Sequence, residues 1–119
     1  MIKPEDIKGT DEKSEQTRVF AWAAINQSRY PQLRWLHAIP NANSQRQVAE
    51  GVRAGIPDIC LPWPSKGYHA LYIELKIKTG KVSQKQNLCI DYLNSVGYKA
   101  IICWSYTEAI KILENYCAV

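Results

Sequence analysis

The chain has no Cys-x-x-Cys pair, only two widely separated histidines, no internal repeat, no low-complexity segment and no long apolar run. Each absence removes a class of protein. Cys60, Cys89, Cys103 and Cys117 each fall inside an apolar stretch, and His37 and His69 stand alone. The ligand spacing of a structural zinc site is therefore missing, and the thiols read as small, reduced core residues. With nothing approaching the roughly 18 consecutive apolar residues that span a bilayer, no membrane segment is expected. Met1-Ile2-Lys3-Pro4-Glu5-Asp6 lacks the apolar core of a signal peptide, so the expected location is cytoplasmic.

What is present is the composition of a globular domain: 119 residues, 46% apolar and 22% charged. A chain of this length buries roughly two thirds of its unfolded surface, which suffices for one unstapled domain and leaves no room for a second. Disordered, collagen-like and disulfide-scaffold classes do not suit these proportions. Fifteen Lys and Arg against eleven Asp and Glu give a net charge of +4, a mild basicity that permits nucleic-acid binding without requiring it.

Residues 1–9 read as a loose lead-in and 10–119 as the domain. A helix is expected from Thr10 or Asp11 to about Arg29, before Pro31, with Val19, Phe20, Trp22, Ala23 and Ala24 as its apolar arc. Glu15 falls on the flank of that arc, one turn below Val19. Strands are expected at Leu33–Ile39, Ile56–Leu61, Ala70–Ile77 and Tyr98–Trp104, with a short helix in 44–52. The last strand is continuously apolar, which implies burial on both faces. Ser83-Gln84-Lys85-Gln86 and Ser105-x-x-Glu108 are capping boxes that open two further helices, the first ended by Gly97 with Gln86, Cys89 or Ile90, Leu93 and Val96 as its inward seam. The resulting fold class is α/β, a central mixed sheet flanked by helices.

Asp58, Glu74 and Lys76 carry the chemistry. Asp58 lies on the second strand, and 74 − 58 = 16 residues later, across a turn marked by Pro62, Pro64 and Gly67, the alternation of Leu71-Tyr72-Ile73-Glu74-Leu75-Lys76 sets Glu74 and Lys76 on one face. Metal-assisted phosphodiester cleavage needs oxygen ligands for Mg²⁺ or Mn²⁺ and positive charge where the phosphorane develops. Asp58 and Glu74 supply the ligands, the Leu75 main-chain carbonyl completes them, and Lys76 orients water or stabilises charge. The plain alternatives are a turn role for Asp58 and a solvated charge pair for Glu74 and Lys76. Asn43, Gln45, Arg46 and Arg53 in the 41–53 loop, with Lys78, Lys81 and Lys85 beside the site, are candidate nucleic-acid contacts or simply solvated polar groups. The four tryptophans read as core residues, with Trp63, between two prolines, as the exposed exception.

Pro57-Asp58 followed by Glu74-Leu75-Lys76 resembles the signature of the PD-(D/E)xK nuclease superfamily. The ordered set Gly51-Val52-Arg53-Ala54-Gly55-Ile56-Pro57-Asp58, Glu74-Leu75-Lys76, Thr79-Gly80-Lys81-Val82-Ser83-Gln84-Lys85-Gln86 and Gly97-Tyr98 is more specific, and is similar to the VRR-NUC branch over roughly residues 11–117. Ala54 stands where the second Arg of the family's Val-Arg-Arg triplet belongs. The resemblance implies a restriction-endonuclease-like core and a Mg²⁺- or Mn²⁺-dependent DNA endonuclease leaving 5′-phosphate and 3′-hydroxyl ends, without an organic cofactor. It adds Glu15 as an acid near the metal and Gln86 as a residue lining the site, beside alternatives in which Glu15 is solvated and Gln86 only caps its helix. The small stand-alone type it suggests resembles phage or prophage proteins, acting in the host cytoplasm and plausible as homodimers. A four-way junction resolvase and a catalytically idle nucleic-acid-binding module are the rival readings.

Overall fold

The alternation along residues 71–76 organises the molecule. In the computed structural model, which describes residues 1–119, Leu71, Ile73 and Leu75 of strand β3 (Leu71–Leu75) are buried on one face of a four-stranded sheet. Against that face pack Val19 and Ala23 of helix α1 (Glu12–Asn26) and Ala109, Leu113 and Tyr116 of helix α4 (Tyr106–Cys117), forming the larger core. The opposite face carries a smaller core, where Tyr72, Ala100 and Ile102 meet Cys89, Ile90 and Leu93 of helix α3 (Gln84–Ser95). Burying Glu74 and Lys76 on this second face is therefore a property of the strand and not of a surface loop.

The sheet order is β1-β2-β3-β4, with β1 (His37–Ala38) and β2 (Ile59–Leu61) antiparallel to their neighbours and β4 (Lys99–Cys103) parallel to β3. Helix α3 supplies the crossover between β3 and β4. Its start is fixed by the Ser83/Gln86 capping box and its end by Gly97 at φ +98°, where the Tyr98 N–H donates back to Leu93 O. Helix α2 (Gln45–Ala49) is the short element expected before β2, capped by Ser44.

The α/β class with a mixed sheet is as the sequence implied, and several elements differ in extent. Pro4–Asp6, within the lead-in, forms a 3-10 turn, and α1 ends at Asn26, three residues early, with Ala24 exposed. The first strand shrinks to His37–Ala38, because Pro31–Trp35 turns into a 3-10 helix and the strand beside it offers only a short edge. Strand β4 lies at the sheet edge: Ala100 and Cys103 are buried, Ile101 and Ile102 half-buried, one on each core, and Trp104 is exposed. Val96 faces solvent and does not extend the α3 seam. Of the tryptophans only Trp22 packs on the core; Trp35, Trp63 and Trp104 are exposed. The four cysteines are free, three of them buried.

Candidate active site

The Pro57-Asp58 pair acts on the sheet before it acts on anything else. Ile59 stands opposite Ile73 and Leu61 opposite Leu71, so the register carried two residues further sets Pro57 opposite Leu75. The Lys76 N–H donates to Cys103 O at 2.8 Å, which turns the adjacent Leu75 backbone towards β2. Proline has no N–H to offer there, and the ladder stops at Ile59. The Leu75 N–H donates instead to Asp58 Oδ2 at 2.8 Å, so a side chain replaces the missing ladder acceptor. Two consequences follow: the Asp58 carboxylate is aimed at β3, and the Leu75 carbonyl lacks its ladder donor.

Glu74, the next residue back on β3, is only 1% exposed. Its Oε2 accepts from Gln86 Nε2 at 3.1 Å and lies 3.6 Å from Lys76 Nζ, while its Oε1 has no partner. Burial pushes the Glu74 carboxyl up to about 8, the neighbouring Asp58 carboxylate adds to the push, and Lys76 opposes it. Gln86 serves two ends at once. Its Oε1 accepts the Ser83 N–H at 2.8 Å, closing the capping box, and this leaves Nε2 free to donate to Glu74. The capping reading of Gln86 thus holds, and the same side chain reaches Glu74.

An orphaned carboxylate oxygen in a buried site costs on the order of 1–3 kcal/mol unless something takes it up. No group of three or more His, Cys, Asp or Glu side chains gathers anywhere in the fold. The donors here are instead two carboxylates and a main-chain oxygen, all hard, in the sparse arrangement that suits Mg²⁺ or Mn²⁺ with water and substrate oxygens completing the shell. The residues present therefore fit such a cation, and fit zinc or a soft metal poorly.

The VRR-NUC domain model matches residues 3–106. The chain belongs to the VRR-NUC family. A solved VRR-NUC domain protein is similar at 26% identity, with a TM-score of 0.77 over 92% of this chain and 89% of the other. A search of curated proteins gives no match. Membership of the VRR-NUC family implies a nuclease-type hydrolase, with DNA as the class of substrate.

Within this VRR-NUC fold the helix α1 acid nearest the site is Glu12. Its charge contributes to the upward push on Glu74, and its Oε2 and Lys76 Cδ lie 2.8 and 3.5 Å from where a Cβ on Gly80 would sit. Glu15 is occupied elsewhere. Its Oε2 is 2.6 Å from Arg18 Nη1 and its Oε1 accepts the Tyr106 N–H at 3.3 Å, capping α4. Arg18 in turn donates to the carbonyls of Ile7 and Gly9, so Glu15 helps tie the lead-in to two helices. The two glutamates are three residues apart, about 60° on a helical wheel, and only the position of α1 along the sheet decides between them.

The remaining candidates are spread around the site. Lys78 lines a cleft of about 400 Å³ with Glu15, Thr79 and Trp104, and Lys81 and Lys85 are exposed. Arg53 donates to the Val48 and Val52 carbonyls at 3.2 and 3.4 Å, and Arg46 pairs with Glu50 at 3.5 Å. Asn43 and Gln45 are exposed, and the Asn43 N–H donates to Gln47 Oε1 at 2.7 Å.

Proposed function

We propose that the chain is a Mg²⁺- or Mn²⁺-dependent DNA endonuclease whose site is built from Asp58, Glu74, the Leu75 carbonyl and Lys76. The observation that carries this reading is the unpartnered Oε1 of buried Glu74, whose carboxyl group sits beside Asp58 and Lys76. A structural charge pair has no reason to leave that oxygen without a donor.

Asp58, Glu74 and Leu75 would hold the cation, which supplies Lewis-acid polarisation of the phosphate and a water of lowered pKa. The protein's own share is positional. Lys76, 8% exposed, presents its ammonium beside Glu74, where it orients the attacking water or meets charge developing on the phosphate. Gln86 holds Glu74 in one orientation through its Nε2, and α3 fixes Gln86 through the capping box. Glu12 approaches Lys76 from α1 at the edge of the site, outside the pair of carboxylates that would hold the cation. Lys78, Lys81 and Lys85 supply phosphate contacts at its rim.

Two copies would present two such sites to two strands. Leu88, Tyr92 and Val96, exposed at i, i+4 and i+8 along α3, give a self-complementary apolar stripe for an isologous pairing.

The test is cleavage of nicked, flapped, four-way and plain duplex DNA with Mg²⁺, Mn²⁺ or EDTA, alongside Asp58→Ala and Lys76→Ala. Metal-dependent cutting that both variants abolish is expected, and wild-type cutting by both would remove this site from the reaction. Preference for the four-way substrate would identify a resolvase. Binding with no cutting under either metal would leave a binding module only.

A further inference from the structure

The end of the sheet away from Asp58 has a different character. Trp63 follows β2, five residues beyond Asp58 in the chain and past the opposite end of that strand. It is 42% exposed and firmly held. Pro62 and Pro64 flank it, its N–H donates to Leu61 O at 2.9 Å, and its carbonyl accepts the Tyr116 hydroxyl at 2.6 Å. Trp35, 56% exposed at the end of its 3-10 turn, lines the same cavity of about 570 Å³. Two guanidiniums complete that cavity, Arg34 at 5.2 Å from the Trp35 ring centroid and Arg29 at 5.0 Å from that of Tyr30.

A second cavity of about 310 Å³ shares the 62–69 loop and the end of α4 with the first. It holds Lys66, Lys99 and Lys111, with Lys99 Nζ 5.2 Å from the Tyr68 ring centroid. No aspartate or glutamate lines either cavity, although the chain has eleven. Five cations and exposed rings are thus gathered where no Asp or Glu side chain answers them.

We propose that this end of the molecule is a binding site for unpaired nucleic acid, with bases stacking on Trp35 and Trp63 and phosphates meeting Arg34 and the lysine cavity. Rigid aromatic faces reward a base whose own face is free, and a duplex keeps its base faces stacked on each other. Guanidiniums and ammoniums in cavities that no Asp or Glu side chain lines suit the strand's phosphates, whose contacts dominate affinity. The inference goes beyond the cleavage site and does not depend on it.

Anisotropy of a labelled thymidine oligonucleotide of about 12 residues, titrated with the full chain in EDTA, tests binding where no cutting can occur. Salt-sensitive binding that quenches tryptophan fluorescence is expected. The double variant Trp35→Leu/Trp63→Leu keeps apolar bulk but removes the ring faces, and should weaken that binding about tenfold or more. It should leave binding of a duplex of the same length within about threefold. Arg34→Gln should lower the slope of log affinity against log salt by about 0.7, one phosphate on a single strand. Unchanged oligonucleotide affinity in the leucine variant would overturn the proposal, as would equal weakening of both probes. So would a changed sedimentation coefficient with oligonucleotide affinity intact, which would make the surface a contact between copies of the chain.

Discussion

The two ends of β3 invert each other's rules. At its C-terminal end, polar groups are buried and under-satisfied: Glu74 Oε1 has no donor, the Leu75 carbonyl has lost its ladder partner to a proline, and Lys76 is taken out of water. At the other end, apolar rings are exposed while the backbone around them is satisfied, as in the Tyr116 and Ser65 bonds that pin the 62–69 loop to α4. An orphaned acceptor invites a cation, and an exposed rigid ring invites a flat partner. Each end gives up stability in the form that its own ligand would return.

The contrast breaks most sharply at Glu74. Glu74→Gln keeps the shape, removes the charge and offers Asp58 a donor, so cutting should fall by about 10²-fold or more while the metal-free fold becomes more robust. The sign follows from the raised carboxyl, at about 8 in the fold against its ordinary 4.5. Between those values the folded chain holds a proton that the unfolded chain has released. This stabilising contribution is full below about 4.5 and is lost as pH rises through about 8. In EDTA, thermal melts of the wild type should therefore drop relative to Glu74→Gln across that window, and Mg²⁺ should narrow the gap at pH 8. Parallel melting curves at every pH would mean that Glu74 is not strained at all, and the two ends of β3 would no longer differ in kind.

Glu12 and Glu15 sharpen the same comparison within one helix. Glu12→Gln should reduce cleavage about tenfold or more with little change in melting temperature, because it faces Lys76 and the site. Glu15→Gln should do the reverse, costing about 1–2 kcal/mol through the Arg18 pair and the α4 cap, with cleavage changing only as far as stability does. Rates and melts measured on both variants decide it. If Glu15→Gln stops cutting in a fully folded protein, the roles assigned to the two acids are exchanged.

This pair also shows what could be read from the residues alone. Strand alternation put Glu74 and Lys76 on one face, because a period of two needs no knowledge of the neighbours. The capping box placed the start of α3, since Ser83 and Gln86 satisfy each other locally. Glu12 was hidden because helical angle says which side an acid faces, not how far along the sheet its helix sits. The Leu75–Asp58 bond was hidden for a related reason, as it depends on a cross-strand register that residues 62–70 set. The tryptophans misled in the opposite direction. Apolar patterning sends large rings inward, yet Trp35 and Trp104 lie outside as well as Trp63, the one expected there.

The smallest effect is expected at Gly80, where β3's end, α1 and Lys76 meet. A methyl group there would stand 2.8 Å from Glu12 Oε2 and 3.2 Å from Ile77 O, too close to both. Its backbone conformation is open to any residue, so Gly80→Ala meets a crowding problem and not a dihedral one. The flexible Glu12 carboxylate yields first, and the Ile77 carbonyl needs only a few tenths of an ångström. Stability should therefore fall by less than about 1 kcal/mol, while Glu12 swings away from Lys76 and cutting drops a few-fold. Adding Gly80→Ala to Glu12→Gln should cost almost nothing more in rate, because the side chain it displaces has already lost its charge. Additive losses in the double variant would mean that Gly80 acts through Lys76 directly, and would move the weight of this corner of the site from α1 to β3.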